Sequence, residues 1–367
     1  MFEVWGLGIP DVEDRVVQES VRMCFQPKFE PDFHASSHGF RPNRSCHTAI
    51  REAKGYLEEG YKWVVDLDLS KFFDRVHQQR LMARVALKVE DREFLVLLGR
   101  LLRSSVLMPD GSLERPTEGV PQGGPLSPLL SNIVLDELDW ELAGRGHRFV
   151  RYADHVAIFV GSERAGERVM LSLSRFIEGR MRLRVNQDKS SVHRPDTGNF
   201  LGFRLLTVAP GTVEIRLSER TMKRASSKIR ELTPRNWGSS LHRCIQRANR
   251  YLRGWFAFFG ICSPSARRNY QRLDSHLRRR MRAIKLKQWK RKRTVVRKLN
   301  QMKYSRIVAR NVYRSRRGWW SLSIDGVVNH RLTNRWFREE GLEPLCWLYD
   351  EREISKVAQA QMTFEWG

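Results

Sequence analysis

Cysteine is scarce in this chain and shows no pairing pattern. Its five cysteines, Cys24, Cys46, Cys244, Cys262 and Cys346, lie far apart with no CxxC spacing, which argues against a zinc knuckle and a disulfide framework. They are expected to be core thiols in a reducing, cytoplasmic setting. Long apolar runs are missing too. No stretch approaches the length of a membrane span, and the opening MFEVWGLGIPDVEDR lacks the basic and apolar regions of a signal peptide. No membrane partner is expected. Acidic residues are in deficit, 41 against 66 lysines and arginines, for a formal net charge of +25. An excess of that size points to a polyanion, nucleic acid first of all. Ribosomal and histone-like proteins carry such charge on short chains. Here 367 residues with 41% hydrophobic and 10% aromatic content imply a large globular body of two or three domains. Internal repeats and low-complexity tracts are also absent from the sequence.

The first three-fifths of the chain mixes short β-rich runs with amphipathic stretches, an α+β composition. Asp11 after Pro10 reads as a helix start, and Ser45 caps a second helix through Ala49, Ile50, Ala53 and Leu57. Residues 61–68 read as a strand with Val64 and Val65 inside it. Pro-Asp-Gly at 109–111 marks a turn between two short extended runs, and PLSPLL from Pro125 opens a helix through Ile133, Leu135, Leu138 and Leu142. Residues 148–152 and 156–160 flank Ala153, Asp154 and His155, a β-hairpin with acidic chemistry at its tip. Beyond about residue 217 the β signals thin out and basic amphipathic segments take over, most clearly at 276–293. That marks helical nucleic-acid-binding modules. The residues after Asp350 carry little pattern and are expected to be loosely ordered.

Copying a nucleic acid takes two divalent ions about 3.5–4 Å apart, and hard magnesium ions take carboxylate oxygens. Asp68 at the end of one strand and Asp154 at the hairpin tip meet that need if their strands are neighbours. Either aspartate alone is more often a solvated strand end. Between them stands TEGVPQGGPLSPLLSN, whose glycines allow close backbone approach to a ligand and whose Gln122 can reach a base or sugar.

The segments VVDLDLSKFFDRV, TEGVPQGGPLSPLLSN, RYADH, LRVNQDKS and FLGF stand in the order of the reverse-transcriptase motifs. Upstream, LGIPDVEDRVVQ and HGFRPNRSCHTA resemble the finger motifs of group II intron reverse transcriptases. Downstream, ANRYLRGWFAFF and LKQWKR resemble the thumb and maturase segment of that family, so the resemblance reaches to about residue 348. It implies a right-hand polymerase fold: fingers and palm with an antiparallel sheet over residues 1–216, a helical thumb and maturase-type RNA-binding region over 217–350, and a tail over 351–367. It implies Asp68 and Asp154 as catalytic metal ligands, with the Leu69 carbonyl as a third contact. Two Mg²⁺ ions are the expected cofactors, with Mn²⁺ as an alternative.

The same resemblance sets Phe73 against the sugar of the incoming nucleotide, where a bulky ring excludes a 2′ hydroxyl. Alternation favours one of Phe72 and Phe73 as a core residue. Arg41 and Arg44 are placed to grip the triphosphate, because guanidinium forks suit phosphate oxygens. Asn186 and Lys189 match the VNxxKS motif, with Lys189 neutralising phosphate charge, and Phe200, Leu201, Gly202 and Phe203 match the turn that holds the primer end. Lys287, Trp289, Lys290, Arg291 and Arg293 are the expected RNA-binding run, where phosphate neutralisation and base stacking are both available. At least half of the downstream tryptophans are expected to be cores of small helical modules instead. The implied partners are an RNA template and intron RNA, a DNA primer or target, and deoxynucleoside triphosphates.

Two features depart from the family. Where it carries Tyr-Ala-Asp-Asp, this chain has Tyr152-Ala153-Asp154-His155. Imidazole is a poor magnesium ligand and a better one for manganese, so His155 in the metal set holds the ions more weakly. The fingers also read as shortened, with Glu3-Val-Trp-Gly6 before Leu7. No Cys-rich or HNH-type pattern follows the maturase segment, so target cleavage by this chain is not expected. Two readings follow: an RNA-directed DNA polymerase that assists folding and splicing of its intron RNA, and a catalytically impaired RNA-binding maturase that keeps the palm as a scaffold. A reverse transcriptase repurposed in host defence is a third.

Overall fold

Local chemistry starts the first helices where the sequence expects them. Asp11 accepts the Asp14 backbone N–H at 2.8 Å and opens helix α1, Val12–Phe29. Ser45 and Thr48 exchange side-chain and backbone bonds in a capping box that opens α2, Cys46–Glu58. The computed structural model describes residues 10–107, 112–114, 117–234, 238–302, 315 and 317–364. The opening segment and the Pro-Asp-Gly turn lie outside these, although the runs beside that turn, β2 (Val106–Leu107) and β3 (Leu113–Glu114), pair antiparallel.

The chain forms two units, residues 1–201 with 205–213, and residues 202–204 with 214–367. The first is built on a four-stranded sheet, ordered β4-β5-β1-β6, with β1 Trp63–Asp68, β4 Arg148–Tyr152, β5 His155–Val160 and β6 Ser191–His193. All its pairings are antiparallel. Val65 and Leu67 of β1 enter the main core with Val156 and Ile158 of β5. Side chains alternate along a strand, so Asp66 and Asp68 fall on the opposite face. The core is closed by α4 (Gln78–Ala86), α5 (Arg92–Leu102), α6 (Ser127–Gly144) and α7 (Glu163–Phe176), through side chains such as Leu81, Leu98, Leu138 and Leu173. The four-residue helix α3, Phe72–Arg75, follows β1 directly.

Strands β7 (Phe203–Ala209) and β8 (Thr212–Leu217) lead the chain from the first unit to the second. The second unit is helical: α8 Glu219–Leu232, α9 Leu241–Phe259, α10 Arg267–Gln288 and α11 Lys292–Gln301, then short helices and Leu345–Phe364. Buried Asp274 of α10 accepts the N–H groups of Leu345 and Cys346 at 2.8 and 3.0 Å, capping that last helix. The residues past Asp350, expected to be loosely ordered, thus continue a capped helix as far as Phe364. Cys46, Cys244 and Cys262 are buried as expected, but Cys24 is exposed, on the solvent side of α1. Among the described residues no helix is long and apolar enough to cross a membrane.

Candidate active site

The register of three strands brings the two sequence-predicted aspartates together. Asp68 closes β1 opposite His155, the first residue of β5, while Tyr152 of β4 pairs with the same His155. Asp154 therefore sits in the two-residue hairpin turn beside the end of β1. Burial raises the Asp154 carboxyl above its ordinary value, and the negative charge of Asp68 raises it further. The end of β1 is splinted by the VNQDKS loop. Asn186 donates its backbone N–H to the Asp68 carbonyl at 2.9 Å, the Asp68 N–H donates to Ser190 Oγ at 3.1 Å, and Leu69 bridges Val185. Lys189 lies 3.8 Å from the Asp68 carboxylate with most of its side chain in solvent.

His155 was expected to stand in for the missing carboxylate ligand. Its Nε2 instead bonds the carboxylate of Asp66, two residues back along β1 on the same face as Asp68. His193 of β6 approaches the same carboxylate at 3.7 Å. Burial opposes charge on His155, but the Asp66 bond and the charges of Asp66, Asp68 and Asp154 outweigh it and raise its pKa. The Asp66 carboxyl is pushed up by burial, yet its bonds to His155 and His193 bring it below the usual range. Such an ionic pair in a partly buried setting holds the ring, and it turns the ring toward Asp66. Among the described residues no three His, Cys, Asp or Glu side chains are grouped to hold a metal.

A buried network behind the hairpin fixes the position of Asp154. Ala153 takes a left-handed backbone, φ 57°, which costs a non-glycine residue roughly 1 kcal/mol or more. Arg151, with no solvent exposure, donates to the Ala153 carbonyl at 3.0 Å. Its remaining donors reach both carboxylate oxygens of fully buried Asp139 on α6, Asn132 Oδ1 and Ser37 Oγ. All five guanidinium N–H groups are therefore satisfied. The HGFRP segment runs alongside: His38 donates its N–H to the Arg151 carbonyl, Arg151 returns one to Ser36, and Asn132 donates to the Gly39 carbonyl. At Gly39 a Cβ would stand 2.2 Å from the Ala153 nitrogen. Gly39→Ala should therefore displace the hairpin tip and cost about 1–3 kcal/mol, measured by urea unfolding; an unchanged midpoint would show that the tip yields freely.

Beside this network Asp136 has its carboxyl pushed up to about 6, by burial first and then by the charge of Asp139. Its folded pKa exceeds its unfolded one, so its contribution to stability is full below about pH 4 and is lost as pH rises through about 6. Asp136→Asn should stabilise the chain by about 1–2 kcal/mol at neutral pH, discounted for its partial exposure, and by nothing near pH 4. Denaturant midpoints at the two pH values check this.

The other predicted residues are placed as follows. Arg41 is turned inward: it pairs with Glu30 at 2.7 Å and donates to the carbonyls of Glu30, His34 and Ser37. Four of its five donors thus hold the finger loop, which leaves little for a triphosphate. Arg44 donates to the Ala35 carbonyl and is partly exposed. Phe72 is the core member of its pair, while Phe73 is half-buried with its ring edge-on to Phe72. The Phe73 carbonyl accepts the Val120 N–H at 2.7 Å, and Gln122 donates to Asp74 at 3.3 Å, which brings the PQGG turn beside α3. Gly119 there has φ +89° and leaves no room for a Cβ, which would meet the Phe73 carbonyl at 2.9 Å. Phe200 packs tilted against His155, ring centroids 5.3 Å apart, and belongs with Leu201 to the first unit; Gly202 and Phe203 belong to the second. In the second unit Lys287, Lys290, Arg291 and Arg293 are exposed around half-buried Trp289. The basic amphipathic segment at 276–293 is divided there, because Lys290 turns left-handed between α10 and α11. Trp255 is a core residue.

Sequence reasoning missed Arg151, Asp139, Asn132, Asp66 and His193. A weak signal existed for one of them: Asp139 follows Leu138 and precedes Leu142 by three residues, which places it beside the apolar stripe of its helix.

Comparison with known proteins follows the same division of the chain. Residues 5–205 match the family model described as reverse transcriptase (RNA-dependent DNA polymerase), and residues 222–305 match that of the group II intron maturase-specific domain. The chain is 36% identical over 239 residues to Protein YkfC of Escherichia coli, covering 54% of this chain and 62% of YkfC. It is 41% identical over 133 residues to the group II intron-encoded protein LtrA of Lactococcus lactis, covering 36% of this chain and 22% of LtrA. The matched part therefore spans less than two-thirds of either relative. A telomerase structure from Candida albicans aligns over 73% of this chain and 51% of that one at 14% identity, with a TM-score of 0.43.

Proposed function

We propose an RNA-directed DNA polymerase activity for this chain, which belongs to the family of group II intron reverse transcriptases and maturases. The observation that carries the proposal is the pair of Asp68 and Asp154 at adjacent strand ends, close enough that one carboxylate raises the pKa of the other. Mutually repelling carboxylates fit a hard divalent cation. Asp68 and Asp154 would hold magnesium or manganese, with the Leu69 carbonyl beside them. Two such ions supply the charge that activates an attacking 3′ hydroxyl and neutralises a triphosphate. The protein's own residues do the rest. Arg151 and Gly39 hold the Asp154 turn, the VNQDKS loop holds Asp68, and Lys189, 3.8 Å from the Asp68 carboxylate and mostly in solvent, would meet phosphate from the rim. Arg44 and Gln122 would complete the nucleotide side, with Arg41 bracing the finger loop that carries Arg44.

The implied substrates are an RNA template, a DNA primer or target and deoxynucleoside triphosphates. The second unit would bind intron RNA through residues 287–293 and assist its folding and splicing. One observation favours the second reading, an impaired maturase: the ring that replaces a carboxylate is bonded to Asp66.

Primer extension on an RNA template separates the two. Incorporation that needs magnesium or manganese and stops with chelator supports the polymerase. Tight RNA binding without incorporation supports the maturase. Phe73, half-buried at the start of α3, is the proposed sugar gate. Phe73→Ala should weaken discrimination against ribonucleotides by about tenfold or more, read from competing incorporation; unchanged discrimination would return Phe73 to the core.

A further inference from the structure

Away from the aspartates, the second unit contains a cavity of about 650 Å³ lined by four arginines, Arg204, Arg216, Arg267 and Arg268. No acidic residue lines it. Two of the four are answered from behind: Arg216 pairs with Glu214 at 2.8 Å and Arg267 with Asp350 at 2.9 Å. Neither Arg204 nor Arg268 has a carboxylate partner among the described residues, and the Nε of Arg204 is buried with no hydrogen-bond partner. A buried guanidinium donor left in that state is costly unless an acceptor arrives from outside the chain.

The first turn of α10 lines the same cavity, and its composition runs against helix electrostatics. The N-cap is Ala266 with no capping side chain, the first turn has no acidic residue, and Arg267 and Arg268 stand in it. Cations beside the positive end of a helix dipole are unfavourable, although the Arg267 N–H already bonds the Pro264 carbonyl of the preceding turn. One change answers both the buried Arg204 donor and the misplaced charges: an anion in the cavity. The remaining walls narrow the class. Leu217 and Pro264 offer apolar surface to a sugar, Asn269 and Gln271 bring amide groups, the Ser265 hydroxyl is already donated to Glu214 at 2.7 Å, and no aromatic ring is present to stack a base.

We propose that this cavity seats a backbone phosphate of single-stranded RNA, read without regard to base. The proposal rests on the RNA-binding reading above and adds a second contact point, distinct from residues 287–293.

Its test is the salt dependence of binding, by anisotropy of a labelled single-stranded RNA and of an abasic phosphodiester oligomer. Each phosphate contact contributes about 0.7 to the slope of log affinity against log salt for single strands. Arg204→Gln with Arg268→Gln should therefore flatten the slope by about 1.4, so that raising salt from about 50 to about 200 mM costs the variant roughly sevenfold less affinity than it costs the natural chain. Arg268 is exposed, so Arg268→Gln alone cannot unfold the unit and should flatten the slope by about half as much. Arg164→Gln with Arg168→Gln, on the exposed side of α7, controls for general loss of charge. An unchanged slope in the Arg268 variant overturns the proposal, as does a control that flattens equally. Binding of RNA but not of the abasic oligomer would also overturn it, while leaving the RNA-binding reading intact. A natural chain that binds neither probe overturns both.

Discussion

Asp68→Ala and Asp154→Ala are each expected to lower metal-dependent primer extension by about 10³-fold or more, with RNA affinity left within about twofold. The two carboxylates lie at the ends of neighbouring strands, and a bound cation would relieve the burial and repulsion that raise Asp154. Removing either one leaves a single carboxylate, too little to hold a hydrated magnesium ion with defined geometry. RNA affinity stays because it comes from basic surface elsewhere. Retained synthesis in either variant would remove these residues from the metal site. The companion change is His155→Asp, expected to raise extension about tenfold or more over the natural chain in magnesium. It carries a penalty. The new carboxylate would face Asp66, which keeps only the more distant His193, and stability should fall by about 1–2 kcal/mol. Adding Asp66→Asn should return that stability without lowering the gain in extension. If His155→Asp does not change extension, the natural site is already complete with two carboxylates.

Arg151→Leu is expected to destabilise the first unit by about 3–5 kcal/mol, because it strands the fully buried Asp139 carboxylate. Urea unfolding measures this. The double change Arg151→Leu with Asp139→Leu should recover most of the loss, since apolar side chains of similar volume replace a buried pair at little cost. Extension should not recover with it. The left-handed Ala153 would still lack the guanidinium that holds its carbonyl, and Asp154 would wander from its productive position. Full recovery of both would reduce Arg151 to a packing residue.

Much of the fold was legible because its signals are local. Asp11 and Ser45 cap helices through side-chain bonds to N–H groups three residues on, a geometry independent of the rest of the chain. Strand alternation around Val65 and Leu67, and the hairpin on either side of Ala153 and Asp154, follow from period-two patterning. The break at Lys290 was not legible, since the basic run continues through it and only the backbone turn ends the helix. Arg41 illustrates a different loss. An arginine in a phosphate-gripping motif and one bracing a loop read identically until its acceptors, Glu30, His34 and Ser37, are known.

The sequence by itself determined the family motifs and their order, the basic charge that points to a polyanion, and Asp68 and Asp154 as the residues to test, because these depend on composition and order alone. Tertiary structure decided where His155 points and what holds the site. Asp66 and His155 are 89 residues apart in the chain and meet only through the β1 and β5 register. Arg151 finds Asp139 only when a helix packs on a strand. The strength of such pairs depends on burial, and burial is a property of the packed chain rather than of any segment.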